Sequence, residues 1–155
     1  LQSKSNFNFW PQPMNTQSFK KSDIQETWIL LDAKGKTLGR FASQVAKVLS
    51  GKNKPEYTPN ADMGDYVVVV NAKEIHVTGQ KKDQKRYFRH SGYPGGIKSK
   101  LLGEVLEDSA SEVIKSAVKG MLPKSKLGRK MFSKLKVYDD SDHPHAAQNP
   151  QLTEI

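Results

Sequence analysis

The stretch "DYVVVVNA", residues 65–72, decides the fold because its four consecutive valines form the strongest strand pattern in the chain. A short and nearly continuous apolar run is typical of a strand that is buried on both faces of a parallel sheet. The run "TWILLD", residues 27–32, has the same character. We therefore expect two buried strands of one parallel sheet.

The segment between these two runs has the pattern of an amphipathic helix. Thr37 is positioned to cap its start, and Gly51 is positioned to end it. Apolar residues recur along one helical face at Leu38, Phe41, Ala42, Val45, Ala46 and Leu49. Strand, helix and strand in this order predict a right-handed βαβ unit.

Two further helices are expected in the second half of the chain. Ser109 and Glu112 have capping-box spacing at the start of a helix that Pro123 breaks. Its predicted buried stripe consists of Val113, Ile114, Ala117, Val118, Met121 and Leu122. The next helix is expected from about Lys124 to Ser133, with Leu127 and Met131 towards the core and with Lys126, Lys130 and Lys134 along the neighbouring row.

Short strands complete the predicted fold. They are expected at "EIHVTG" (74–79), "KRYFRH" (85–90) and "LKVYD" (135–139). These elements predict a three-layer α/β/α domain with a small, mainly parallel sheet of about four strands and with basic loops and a basic helix. We divide the chain into an irregular N-terminal extension (1–22), a single α/β domain (23–138) and an irregular C-terminal tail of the same domain (139–155).

The composition excludes several classes of protein. The chain has no cysteine, which rules out disulfides, thiolate metal sites and a cysteine nucleophile. No apolar run approaches the roughly 18 to 20 residues that span a bilayer. We therefore expect no membrane insertion. In the N-terminal extension, Phe7, Phe9 and Trp10 are predicted to dock onto a partner, because three aromatic side chains are poorly accommodated in water.

The positive charge of the chain is concentrated in two segments. The net charge is +9. Residues 81–100, the first basic block, carry seven basic side chains and one acidic side chain. Residues 115–136, the second basic block, carry eight basic side chains and no acidic one. Charge that is segregated in this way creates a local field for a polyanion, whereas evenly spread charge mainly aids solubility.

Motifs of nucleotide binding are incomplete. "GKT" at residues 35–37 lies between a strand and a helix, but the P-loop glycine expected five residues before Gly35 is replaced by Leu30. "GYPGG" (92–96) has neither the dinucleotide-binding glycine spacing nor a helix directly after it. We interpret it as a tight turn whose glycines let the backbone approach an extended partner.

No helix or strand pattern brings the candidate catalytic or metal-binding groups together. His90 and Ser91 are adjacent, so in an extended chain they point in opposite directions and do not pair as base and nucleophile. Asp62 and Asp65 are interpreted as turn-forming residues at a strand entry. The tail "DDSDHPHAAQ" (139–148) holds three carboxylates and two histidines, but Pro144 and the lack of periodicity favour an exposed tail over a metal site.

The basic blocks instead favour RNA recognised through its shape and backbone. Tyr87, Phe88 and Tyr93 offer planes for base stacking, and Arg86 and Arg89 are suited to bidentate phosphate contacts. In a strand, one side-chain face carries Arg86, Phe88 and His90, and the other carries Tyr87 and Arg89. Only one face is expected to meet nucleic acid. No DNA-recognition helix or finger is evident in the sequence.

A family resemblance agrees with this interpretation. The segments that carry it are "GKTLGRFAS", "GDYVVVVNA", "HVTGQKKDQKRYFRHSGYPGG", "AVKGMLPKSKLGRK" and "HPHAAQ", which occur in this order. The chain from about Thr27 to Ile155 resembles the bacterial-type large-subunit ribosomal protein thirteen family. The resemblance implies a compact α/β protein that binds large-subunit rRNA, acts early in subunit assembly and is not an enzyme. The tail "HPHAAQNP" (143–150) is similar to cyanobacterial and plastid versions, which favours a plastid ribosome, with the bacterial cytoplasm as the alternative.

Charge, turn chemistry and resemblance together define the expected interface. The candidate RNA-binding residues are Lys36, Arg40, Lys52, Lys54, Lys81, Lys82, Lys85, Arg86, Arg89, His90, Ser91, Gly92, Tyr93, Gly95, Gly96, Lys98, Lys119, Lys124, Lys126, Arg129, Lys130 and Lys134. The expected partners are large-subunit rRNA and neighbouring ribosomal proteins, with no cofactor, metal, membrane or small-molecule substrate. The alternative is a small hydrolase that uses His90 or the acidic and histidine-bearing tail.

Overall fold

The computed structural model describes residues 19–20 and 25–153, so Phe7, Phe9 and Trp10 lie outside the described residues. The strands are β1 (Trp28–Asp32), β2 (Tyr66–Val70), β3 (Arg86–His90), β4 (Ile97–Leu101), β5 (Leu135–Val137) and β6 (Gln151–Leu152). The α-helices are α1 (Leu38–Ser50), α2 (Lys81–Gln84), α3 (Leu102–Asp108), α4 (Ala110–Met121) and α5 (Lys126–Ser133).

Four strands form a parallel sheet in the order β5-β2-β1-β6. This confirms the prediction of a small α/β domain with a mainly parallel sheet of about four strands. The valines of β2 are buried, as expected for a central strand. In β1 only Leu31 is fully buried. The neighbouring strand β6 pairs only with Ile29 and Leu30, so it leaves the rest of that edge of β1 uncovered.

Helix α1 connects β1 and β2 as predicted, and every residue of its predicted apolar stripe is buried. Gly51 ends the helix with a φ of 76° in the left-handed region that favours glycine. Thr37 occupies the N-cap position, but its side chain makes no capping hydrogen bond. The helix is therefore held mainly by the burial of its apolar face.

The two faces of the sheet are covered differently. Val67 and Val69 point into the hydrophobic core that the helices share with the sheet. On the opposite face, the ring of Trp28 stacks on that of Tyr66 with centroids 4.5 Å apart. The His145 ring lies 5.2 Å from the Trp28 ring. The chain that follows β5 thus covers part of this second face.

The C-terminal segment, predicted to be irregular, contains regular structure. A short 3-10 helix spans Ala146–Gln148, and β6 adds a fourth strand to the sheet. The Asp139 carboxylate accepts a hydrogen bond of 2.8 Å from the backbone N–H of Ser111 at the start of α4. This distant carboxylate takes the place of the predicted local capping box, since the Ser109 side chain makes no capping hydrogen bond.

The prediction of a strand over residues 74–79 is wrong. The chain forms a 3-10 helix at Ala72–Glu74 and then a single parallel bridge between His76 and Thr37. The reason is that Asn71 adopts a left-handed conformation with φ 57°, which turns the chain as it leaves β2. The backbone groups that follow then pair with the β1–α1 connection, for example His76 N–H with the Lys36 carbonyl at 2.9 Å.

Two details of the last helices also differ from prediction. Met121, predicted in the buried stripe of α4, is 48% exposed, because it is the last helical residue and lies beside open clefts. Helix α5 begins at Lys126, two residues later than expected, since the Ser125 hydroxyl caps it by accepting a hydrogen bond from Gly128 N–H at 3.3 Å. Met131 is buried as predicted, and Leu127 is half-buried.

Candidate nucleic-acid interface

Strands β3 and β4 form an antiparallel hairpin that is separate from the main sheet. Because side chains alternate along a strand, Tyr87 and Arg89 share one face. Arg86, Phe88 and His90 share the other. Tyr87 is half-buried against the hydrophobic core, whereas Phe88 is 67% exposed. The face that carries Phe88 therefore points away from the domain and is accessible to a partner, while Arg89 on the other face is also exposed.

Burial of Tyr87 fixes the inner face of the hairpin. Burial raises the pKa of the Tyr87 phenol. Its hydroxyl has no hydrogen-bond partner among the described residues. Next to it, Lys100 forms an ion pair of 2.8 Å with Asp108 of α3, and this hydrogen bond raises the pKa of Lys100. The inner face is thus engaged with the helices of the domain.

The turn of the hairpin has the backbone conformation that its glycines permit. Gly92 and Gly95 have φ values of 93° and 72°. The Ser91 N–H donates to the Gly96 carbonyl at 3.0 Å and closes the loop. The Gly92 N–H donates to His90 Nδ1 at 3.0 Å. In the neutral imidazole the proton is therefore on Nε2, which becomes a donor suited to a phosphate oxygen.

The first basic block lies against α4, the helix in which the second basic block begins. A cleft of about 410 Å³ is lined by Lys81 and Lys85 of the first block and by Ser116 and Gly120 of α4. The structure therefore brings two segments that are separate in sequence to one side of a single helix.

Two further clefts adjoin the first. One, of about 390 Å³, lies between the hairpin and α4 and is lined by Arg89, Lys98 and Ser116, together with the carboxylates of Asp108 and Glu112. The other, of about 600 Å³, lies between α4 and α5. Its basic lining residues are Lys119, Lys124 and Arg129. All three clefts share Ser116, and we call their combined surface the α4 groove.

The remaining candidate residues surround the groove or lie at other places on the surface. In the hairpin and its turn, the exposed candidates are Arg86, His90, Ser91, Gly92, Tyr93 and Gly95, while Gly96 is half-buried. The other exposed candidate cations, which also line none of the three clefts, are Lys36, Arg40, Lys52, Lys82, Lys126 and Lys130.

Lys134 belongs to the interior of the domain. The residue is 4% exposed. Its Nζ lies 3.0 Å from Asp62 Oδ2 and 3.1 Å from Glu26 Oε1, and it donates to the Gly64 carbonyl at 2.9 Å. Helix α5 ends at Ser133, so the row of lysines on its surface does not continue to this residue. Lys134 therefore leaves the set of candidate RNA-binding residues.

Lys54 leaves this set for the same reason. Its side chain is 18% exposed, and its Nζ forms an ion pair of 2.6 Å with the buried Asp65. It also donates to the Gln25 carbonyl at 3.2 Å. Asp65 in turn accepts a hydrogen bond from Thr27 N–H at 2.9 Å. This pair ties the start of β1 to the entry of β2, which agrees with the structural interpretation of Asp65.

Ser116, Gly120 and Phe132 line the groove but were missed in the sequence. Ser116 and Gly120 are one helical turn apart on the polar side of α4, where small residues leave space. Phe132 is half-buried at the edge of the core, and Lys119 Nζ lies 6.0 Å from its ring centroid. The available signal was a pair of small residues four positions apart within the second basic block.

The acidic and histidine-bearing tail has structural contacts. Asp139 caps α4, and Asp140 forms an ion pair of 2.9 Å with Lys73 and raises its pKa. His145 Nε2 lies 2.9 Å from the Tyr138 hydroxyl. Within residues 19–20 and 25–153, no group of three or more ligating side chains is arranged to hold a metal ion. None of the helices described there has the length and apolar character needed to cross a bilayer.

A small α/β scaffold that gathers two acid-poor cationic segments around one groove is typical of proteins that bind the backbone of a nucleic acid. Sequence comparison identifies the family. The family model "Ribosomal protein L13" matches residues 26–144, and the chain belongs to this family. The family resemblance predicted from the sequence is thus confirmed.

Curated relatives cover nearly the whole chain. The protein of Syntrophotalea carbinolica is 56% identical over 137 residues, which is 88% of this chain and 96% of the relative. That of Nitrosococcus oceani is 56% identical over 142 residues, or 92% of this chain and 100% of the relative. That of Aquifex aeolicus is 52% identical over 142 residues, which is 92% of this chain and 99% of the relative. All three are named large ribosomal subunit protein uL13.

Family membership confirms the predicted role of a structural component of the large ribosomal subunit that is not an enzyme. It gives no support to the hydrolase alternative. These relatives are bacterial and give no support to the plastid preference.

Proposed function

We propose that this chain binds large-subunit rRNA along the α4 groove and thereby supports assembly of the subunit. The main support for the proposal is that cationic residues of both basic blocks line three clefts that share Ser116. An RNA backbone that follows the groove would pass cations of the hairpin, of α2 and of the α4–α5 connection in turn.

The chemistry of the surface suits a folded RNA backbone. Each phosphate that a Lys or Arg neutralises releases condensed counterions, so binding should weaken steeply with salt. The outward face of the hairpin adds Arg86 for phosphate and Phe88 for an unpaired base. The glycines of the turn let the backbone approach sugar and phosphate closely. In this arrangement the parallel sheet is a scaffold and the groove is the binding surface.

The proposal also covers protein partners of the chain and the cellular compartment of its ribosome. Residues 1–22, an extension with Phe7, Phe9 and Trp10, are proposed to contact neighbouring ribosomal proteins, because their aromatic side chains need a surface to pack on. The tail motif at residues 143–150 keeps a plastid ribosome as a proposal that the bacterial relatives do not support. An antibody to this chain that detects it in ribosomes purified from isolated plastids would support the plastid location, and its absence from them would refute it.

A charge-matched pair of variants tests the groove. The double variant Lys85→Gln/Arg129→Gln removes one groove cation from each basic block. Because two phosphates would no longer be neutralised, the slope of log affinity against log salt should fall by roughly 1.4 to 1.8. The control Lys34→Gln/Lys73→Gln removes the same charge from residues outside the groove that form exposed ion pairs with Glu74 and Asp140.

The measurement is filter binding of the full chain to large-subunit rRNA over a series of potassium chloride concentrations. We expect the groove variant to have the smaller slope and the control to keep the slope of the unaltered chain. Equal decreases in both variants would show that net charge, and not the groove, governs binding, and would refute the proposal.

A further inference from the structure

The cleft between α4 and α5 combines an apolar interior with a rim of cations. Leu122, Pro123 and Phe132 form apolar walls, and Lys119, Lys124 and Arg129 form a cationic rim. No carboxylate occurs among the described residues that line it. Its volume of about 600 Å³ lies within the range of sites that enclose small organic groups.

Gly120 is a residue that α4 itself does not require. A Cβ added at this position would meet no atom within 4 Å, so no packing contact explains the glycine. Glycine also weakens a helix relative to alanine. Gly39 of α1, which lines the adjoining cleft, has the same open space. Both helices thus leave open space beside a glycine, which a bound partner could occupy.

The turn at the other side of the cleft is held rigidly. A Cβ at Gly128 would collide with the backbone carbonyl of Pro123, so the two segments pack against each other at the closest distance that glycine allows. The Ser125 hydroxyl caps α5 in the same turn. The cleft is therefore preformed, with the Phe132 ring fixed at the edge of the core.

We propose that this cleft receives one unstacked nucleotide of the large-subunit rRNA. The base lies against Phe132 and between the apolar walls, and the flanking phosphates meet Lys119, Lys124 and Arg129. An apolar slot with a purely cationic rim matches the chemistry of a base between two phosphates. The inference rests on the proposed function and deepens it, because it assigns a base-binding site within the groove.

Filling the cleft tests the inference without removing a charge. In Gly120→Leu, the new side chain enters the cleft from a helical position with free space, so the fold should be retained. We expect the affinity of the full chain for large-subunit rRNA to fall roughly 5- to 150-fold, which is the measured range for the loss of one stacked base. The salt slope should stay that of the unaltered chain, since no cation is removed.

A second variant and a control complete the design. Phe132→Leu keeps an apolar side chain at the core but removes the aromatic plane, and should also lower the affinity. Gln44→Leu adds an exposed leucine to α1 at a position that lines none of the clefts described above, and should have no effect. Dimethyl sulfate and SHAPE probing of the rRNA should reveal one nucleotide whose reactivity changes with the unaltered chain and not with Gly120→Leu.

The outcomes separate the two proposals. If the unaltered chain binds rRNA with a steep salt slope but Gly120→Leu and Phe132→Leu bind equally well, the base site is refuted and the groove stands. If both variants bind free rRNA normally but fail to enter large subunits, the occupant is a protein segment, which also refutes the inference. If the unaltered chain itself does not bind large-subunit rRNA, the proposed function fails.

Discussion

Replacing Lys134 by methionine should destabilise the fold strongly, although the residue lies in the second basic block. The ammonium group is within 3.1 Å of two carboxylates, on Asp62 and Glu26, and it donates to the Gly64 carbonyl. Asp62 is 6% exposed and would be left as a buried carboxylate without a counter-ion. Removal of one partner of a buried ion pair costs about 3 to 5 kcal/mol. For a chain of this length the melting temperature should fall by roughly 6 to 20 °C.

The assay is thermal unfolding by circular dichroism, with Lys130→Met as the control. Lys130 is an exposed residue of α5, so its replacement should leave the melting temperature within about 2 °C of the unaltered chain. The double variant Lys134→Met/Asp62→Asn removes the uncompensated charge and should recover part of the stability. A melting temperature of Lys134→Met equal to that of Lys130→Met would refute the assignment of Lys134 to the interior.

Three further changes have expected outcomes. Gly64→Ala should prevent stable folding, measured by circular dichroism, because the new Cβ would overlap the backbone carbonyl of the last turn of α1. Tyr87→Phe should leave the free energy of unfolding in urea equal or higher, since it removes a buried hydroxyl without a partner among the described residues. Hydrogen bonds from Lys34 N–H and the Asn71 amide lower the pKa of Asp32 below its ordinary value of 3.8, so its stabilisation is complete above that pH and lost as the pH falls through the folded-state pKa. Asp32→Asn should therefore flatten the acid limb of the curve of unfolding free energy against pH.

Local patterns sufficed for the central part of the fold. The apolar stripe of α1 and the valines of β2 are encoded within short windows, and the structure buries them as predicted. The strand at residues 86–90 was predicted as well. Its partner β4 was not, because "IKSKL" is mostly exposed and carries no alternation of apolar and polar residues that a core would impose.

Long-range contacts account for what the sequence did not reveal. The charge of Lys134 is evident in the sequence, but its burial depends on Asp62 and Glu26, which are distant in the chain. Strand β6 has two residues and is defined only by its pairing with β1. The α4 groove depends in the same way on the packing of the hairpin beside α4, since neither basic block contains a signal for the position of the other.

The separate hairpin of β3 and β4 has a consequence for the dynamics of the free chain. A two-stranded hairpin is only marginally stable by itself, and this one is anchored to the domain mainly by the Tyr87 side chain and the exposed ion pair between Lys100 and Asp108. Its amides should exchange with deuterium through local opening, whereas those of β2 should exchange only through global unfolding. Ordering the hairpin on a partner would then consume part of the interaction free energy, so the measured affinity understates the strength of the contacts it makes.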